Sequence, residues 1–196
     1  MADVDISQRL QPWLARWSFD AGDQLDDWSS GLVYSRLNAD EFLLHAGQQS
    51  DTLFLLETGL VRYFYLTPDG RERNKAFYRE GQVIGPVSAV LQSSPAPFSI
   101  QCLEPSEVLA FRFVDLHAAT ESSPAFARLY RDLLAEAFIR NEQREAMLLT
   151  CSAEARYQWL LDNEAYLLAR VPQFHIASYL GMDAVSLSRL KRKNKG

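Results

Sequence analysis

Between Leu32 and Phe113 the chain is built of short segments rich in Val, Leu, Phe and Tyr, and turn-forming clusters break it repeatedly. The breaks fall at Asn38-Ala39-Asp40, Ala46-Gly47, Thr58-Gly59, Pro68-Asp69-Gly70 and Glu80-Gly81. Many short strands with frequent turn signals predict a sandwich or small barrel. The clearest hairpin runs through Leu60–Leu66, turns at Thr-Pro-Asp-Gly and returns through Arg71–Tyr78. Pro68 presets φ there, and Gly70 takes the left-handed position of a tight turn. Arg71, Arg73 and Lys75 alternate, which puts them on one strand face. That face is either solvated or a cationic wall for an anionic ligand or a partner.

Helical spacing flanks this region. Ile6, Leu10, Trp13, Leu14 and Trp17 recur every three or four residues, as on a helix burying one aromatic face, and a second short helix ends near Gly31. Ser123-Pro124 suits the cap and first turn of a long helix. Its apolar stripe of Phe126, Leu129, Tyr130, Leu133, Leu134, Ala137, Phe138, Met147 and Leu148 runs nearly to Thr150. Part of such a stripe can pack on its own sandwich and part on a second copy, which implies a two-fold homodimer. Ser152 caps a further helix. A chain of 196 residues, nearly half apolar, can bury a core of its own. The expected fold class is α+β: an N-terminal β-sandwich or jelly roll with flanking helices, a long dimerisation helix and a C-terminal helical domain. Residues 1–121 form the first part (helices in 1–31, β-roll in 32–113), 122–150 the dimerisation helix, and 151–196 the last domain.

Several function classes are excluded. The acidic start Met-Ala-Asp-Val-Asp-Ile-Ser is no secretory leader, and no stretch approaches the roughly 20 apolar residues of a membrane span, so a soluble cytoplasmic protein is expected. Cys102 and Cys151 are too few for a disulfide framework or a four-thiolate cluster. Cys102 reads as core and Cys151 as partly exposed. His45, His117 and His175 show no metal-ligand spacing and read as structural. An enzyme on a double-stranded β-helix would need convergent His and carboxylate ligands that this chain does not space correctly. No catalytic centre, metal or cofactor is expected.

The most informative stretch is Val171 to Lys193. Ile176, Ala177 and Leu180 give one helix an inward face, Gly181 permits a left-handed turn, and Asp183 can cap a second helix. On that second helix Val185 or Leu187, with Leu190, faces inward, while Ser186, Ser188, Arg189 and Lys193 are available outside. Two short helices joined by a Gly turn make a helix-turn-helix, whose second helix reads base edges in the major groove of double-stranded DNA. Charge agrees. The formal net charge is −5, yet from Ser152 onward seven Lys/Arg face four Asp/Glu, net +3, leaving −8 for the rest. Arg189, Lys191, Arg192, Lys193 and Lys195 crowd the last eight residues. A chain that kept this hairpin only as a protein contact is the rival reading.

The run from Ser152 to Lys193, with Arg-Tyr-x-x-Leu-Leu, then Val-Pro-x-x-x-Ile-Ala-Ser-Tyr-Leu-Gly and Leu-Ser-Arg-Leu-Lys-Arg, resembles the DNA-binding end of Crp/Fnr-type transcription regulators. Ala46-Gly47-Gln48 and Leu53 to Arg62 look like the first strands of that superfamily's cyclic-nucleotide-binding-like sensor domain, so the likeness runs from about Tyr34 onward. The resemblance implies DNA contacts from Ala184, Val185, Ser186, Ser188, Arg189, Lys191, Arg192 and Lys193. Arg189 is the best candidate for a bidentate guanine contact. Ala184 and Val185 depart from the polar pair of the cyclic-AMP receptor, so a different operator is expected. The resemblance also implies contact with RNA polymerase and a small-molecule effector of unknown identity.

Nucleotide-binding members carry Gly-Glu, a short helix, then Arg-Ser before the next strand. Here Pro86 stands for the glutamate, Ala96 for the arginine and Pro97 for the serine, and no Arg occurs between Arg79 and Arg112. Prolines remove N–H donors along with the charge. An unpaired phosphate in a semi-apolar pocket costs several kcal/mol. Independence from cyclic AMP is therefore expected. The candidate effector pocket comprises Arg62, Tyr63, Arg73, Lys75, Gly85, Ser88, Phe98 and Ser99, and the roll senses something more apolar, senses a partner, or serves only as a dimer platform.

Overall fold

A computed structural model describes residues 5–20 and 22–193. The start Met1–Val4 and Lys195, both used above, lie outside them. The chain opens with α1 (Ile6–Arg16), capped by Asp5, which accepts from the Gln8 N–H at 3.1 Å. Leu10, Trp13 and Leu14 are buried on it, as their spacing requires. There follow α2 (Asp23–Ser29), β1 (Val33–Leu37), β2 (Phe42–Leu44), β3 (Thr52–Thr58), β4 (Leu60–Leu66), β5 (Glu72–Arg79), β6 (Val83–Ile84), α3 (Val87–Leu91), β7 (Ser99–Cys102), β8 (Ser106–Arg112) and α4 (Phe113–Ser122). The C-terminal part is helical: α5 (Pro124–Thr150), α6 (Ala153–Asn163), α7 (Leu167–Arg170), α8 (Gln173–Tyr179) and α9 (Ala184–Lys193). Among the described residues the strands form two four-stranded sheets, ordered β1-β8-β3-β6 and β2-β7-β4-β5. The architecture is α+β, a β-roll with flanking helices, one long helix and C-terminal helices, as the sequence leads one to expect.

By contacts the chain divides into two compact units, one running to Arg62 and resuming over Phe77–Ala135, the other comprising Tyr63–Ala76 and everything from Glu136 onward. The tip of the β4–β5 hairpin thus counts with the C-terminal helices. In the first unit, β3 pairs antiparallel with β8, with Leu53 opposite Phe111 and Leu55 opposite Leu109. These four side chains join Leu10, Trp13 and Leu14 of α1, Trp28 of α2, Leu116 of α4 and Phe126 and Leu129 of α5 in one core. Trp28 meets Phe111 and Phe126 edge to face at 5.3 and 5.4 Å, a favoured aromatic geometry. Leu56 and Val108, opposite each other on the other sheet face, are fully buried too. Cys102 lies in the core and Cys151 is half-buried. Among the described residues no helix is long and apolar enough to cross a membrane, and no group of three or more His, Cys, Asp or Glu could hold a metal ion.

The β3–β8 register shifts between Leu56 and Thr58, and the chain then turns at Gly59 with φ +101°. A Cβ there would stand 2.8 Å from the Cα of Ser106, so only glycine fits this left-handed position. Gly59→Ala is expected to cost about 1–3 kcal/mol from backbone strain alone. Thermal unfolding should register a fall of roughly 2–4 °C per kcal/mol for a chain of this size.

Candidate nucleic-acid interface

Helix α8 begins after Pro172, whose φ of −53° is preset for a helix start. Ile176, Ala177 and Tyr179 are buried on it, and Leu180 caps its end. The helix stops in a Schellman motif. Gly181 adopts φ +65°, its N–H donates to the Ser178 carbonyl at 3.2 Å, and the Met182 N–H donates to the Ala177 carbonyl at 3.0 Å. The Asp183 carboxylate then caps α9, accepting from the Ser186 N–H at 2.7 Å and the Ser186 hydroxyl at 3.0 Å. These bonds, the Ser186 N–H first, hold the Asp183 carboxyl below its usual range.

On α9, Leu187 is fully buried and Leu190 half-buried, whereas Val185 is 60% exposed. Of the two residues the spacing left open, Leu187 is the inward one. Ala184, Arg189, Arg192 and Lys193 are exposed, and Ser186, Ser188 and Lys191 half-buried. Lys193 reaches Glu154 at only 3.8 Å on the surface, a contact worth little. The helix thus turns an apolar edge inward and a small, hydroxylic and cationic face outward.

Two arginines that spacing alone does not single out hold the hairpin in place. Arg156 of α6 donates to the Cys151 carbonyl at 3.0 Å, the Leu148 carbonyl at 2.8 Å and the Leu180 carbonyl at 3.1 Å. One guanidinium thereby satisfies the C-terminal carbonyls of both α5 and α8, where a positive charge also suits the helix dipole. Arg144 of α5 donates to the Tyr179 carbonyl at 2.9 Å and the Asn74 carbonyl at 3.0 Å, with its guanidinium 4.6 Å from the Tyr179 ring centre. Burial pulls its pKa down, and burial pushes the Tyr179 hydroxyl well up, Glu164 adding to the rise.

Asn74, on the β5 part of the hairpin tip, is clasped by α8. Its N–H donates to the Ser178 hydroxyl at 3.0 Å, and its side-chain amide donates to the His175 carbonyl at 3.0 Å and lies 3.1 Å from His175 Nδ1. The amide nitrogen is a donor, so Nδ1 serves as the acceptor. His175 is therefore a satisfied buried group.

The residues expected to line an effector pocket are less gathered. The Arg62 guanidinium is buried and donates to Gln101 Oε1 at 2.8 and 2.6 Å. Ser99 is buried and its hydroxyl accepts from the Ala46 N–H at 3.0 Å, and Phe98 is buried nearby in sequence. Lys75 sits 6.0 Å from the centre of the buried Tyr63 ring. Its ammonium is pulled down by burial first, then by Arg140 and Arg144. Arg73 and Ser88 are exposed, while Gly85 is half-buried at φ +150°. Pro86 is the N-cap of α3. Ala96 is buried with its N–H already donated to the Gln48 carbonyl at 2.8 Å.

Arg156→Ala would leave three helix-end carbonyls without their donor, a loss of about 2–4 kcal/mol at the strength of charge-assisted bonds. Urea unfolding followed by the fluorescence of Trp159, on the same helix, is the direct measure.

A family model described as the cyclic nucleotide-binding domain matches residues 34–123. The transcriptional activator protein anr of Pseudomonas aeruginosa is 27% identical over 166 residues, 79% of this chain and 67% of the relative. FixK2 of Bradyrhizobium japonicum superposes with a TM-score of 0.71 at 22% identity, covering 83% of each chain. CLP, a c-di-GMP-responsive global regulator of Xanthomonas campestris, gives 0.72 at 15% identity over 90% of this chain and 92% of its own. Residues 34–123 thus resemble a cyclic nucleotide-binding domain, and the chain shares the fold of solved regulators such as FixK2 and CLP.

Proposed function

We propose that this protein is a homodimeric, Crp/Fnr-type DNA-binding transcription regulator of the cytoplasm, acting without cyclic AMP and answering to an unidentified signal or to none. The observation that carries the reading is the build of α8, the Schellman turn and α9: Leu187 anchors α9, and Ala184, Val185, Arg189, Arg192 and Lys193 stand exposed on it. Such a helix can enter a major groove, with Arg189 donating to guanine and Arg192 and Lys193 to phosphates. The kinship with anr favours a regulator over an enzyme.

Dimerisation draws support from α5. Leu134, Phe138 and Leu149 are exposed on it and, at about 100° per residue, lie within about 60° of one another around the axis. A stripe of this kind suits self-association about a two-fold axis. Independence from cyclic AMP draws support from the phosphate cassette. Pro86 and Pro97 have no N–H, and the Ala96 N–H is spent on Gln48. A cyclic phosphate bound there would lack its countercharge and its donors.

Two experiments test the reading. Selection of bound fragments from random DNA should yield a near-palindromic motif whose half-sites are about one helical turn, roughly 34 Å, apart. Arg189→Ala should weaken binding to it about 5- to 150-fold, the worth of a bidentate base contact, and added cyclic AMP should change nothing. No enrichment would favour the rival in which the hairpin is a protein contact. Phe138→Glu should convert the dimer to a monomer by light scattering, and a dimer that persists would place the interface elsewhere.

A further inference from the structure

We propose that the pocket between α1 and strand β3 of the roll is a binding site for a small, uncharged, mainly apolar molecule about the size of two fused rings. The pocket measures about 340 Å³, within the range of small-molecule sites and about twice the roughly 150 Å³ that accommodates a benzene. Pro12 and Trp13 of α1 and Leu55 of β3 supply its apolar wall, and Thr58 stands at its exposed edge. Another pocket of similar size in this unit, beside α3, is lined by Gln49, Ser50, Asp51, Ser93 and Ser94 together with Ala89 and Val90, and has no aromatic wall.

Charge selects the ligand class. Arg9 and Arg16 reach the pocket, and so do Glu57 and Glu80. The Arg9 guanidinium donates to Glu57 and Glu107 at 3.0 Å each and lies 4.1 Å from the Tyr34 ring centre. Arg16 donates to the Gly81 carbonyl at 3.0 Å and stands 5.1 Å from the Trp17 ring centre. Two cations matched by two carboxylates leave no net field to hold a phosphate, in contrast to the nucleotide sites of the superfamily. One polar group in the wall remains to be satisfied: the indole Nε1 of Trp13 is buried and makes no hydrogen bond. Trp17 and Trp28 share that condition, but only Trp13 of the three lines the pocket. A hydroxyl or carbonyl on the ligand would serve it. Because α1 and β3 both line the pocket, an occupant would touch helix and sheet at once.

The site does not depend on the DNA-binding reading and is tested without DNA. The full-length protein, labelled with nitrogen-15, is titrated with 2-naphthol while the four indole N–H resonances are followed, Trp13 being assigned through Trp13→Phe. The Trp13 signal should move saturably, half-saturating below about 1 mM, and nuclear Overhauser contacts should join the naphthol ring to the Leu55 methyl groups. Thr58→Phe, which narrows the exposed edge, should raise the half-saturation point at least about tenfold, and 2-naphthyl phosphate should bind at least tenfold more weakly than 2-naphthol. A Trp13 signal that does not saturate, a half-saturation point unmoved by Thr58→Phe in a folded protein, or equal binding of the phosphate would each overturn the proposal. The Overhauser contacts need no variant and decide the matter if Thr58→Phe does not fold.

Discussion

Helix ends are the recurrent physical problem of the C-terminal unit, because each leaves carbonyls with no partner along the helix. Arg156 answers it for α5 and α8 together, through Leu148, Cys151 and Leu180. Arg144 ties the last carbonyl of α8, that of Tyr179, to the Asn74 carbonyl of the hairpin tip. Burial lowers the Arg144 pKa, but a guanidinium starts so far above neutrality that it keeps its charge. The position of α8 follows from these bonds, and the position of α9 follows from the Schellman turn and the Asp183 cap that join it to α8. The α8–α9 hairpin is thus held by a frame of part-buried, charge-assisted hydrogen bonds.

The roll uses its chemistry differently. Pro86 and Pro97 have no N–H to offer a ligand, and the Ala96 N–H is donated to the Gln48 carbonyl within the fold. Arg62, the buried cation of this unit's β4, faces Gln101, which in turn donates to the Asp40 carbonyl. The polar groups of this region thus stabilise the roll itself. Removing Gln101 would take from the buried Arg62 guanidinium the amide oxygen that accepts two of its hydrogen bonds.

Much of the architecture was legible in the sequence because it is set locally. The Ser123-Pro124 start of α5, the Ser152 cap, the Pro-Asp-Gly turn, Gly181 and Asp183 each act within four residues of their position, and the structure has every one of them in place. Periodicity found the buried face of α1. It left Val185 and Leu187 undecided, because adjacent turns of a ten-residue helix offer either edge and only the packing of α6 and α8 selects one. Arg144, Arg156 and the Asn74–His175 pair were not legible as a network, because their partners lie between 5 and 104 residues away. The pocket under α1 was not legible either, since it exists only where a helix and a strand distant in sequence meet.

Anisotropy of the full-length protein on its selected DNA site, measured as salt rises and with or without cyclic AMP, tests the central claim most directly. The expected result is a linear fall of log affinity with log salt, with a slope of about −0.9 for each phosphate neutralised, and identical curves with and without the nucleotide. A salt-independent affinity, or a tenfold or greater tightening by cyclic AMP, would contradict it.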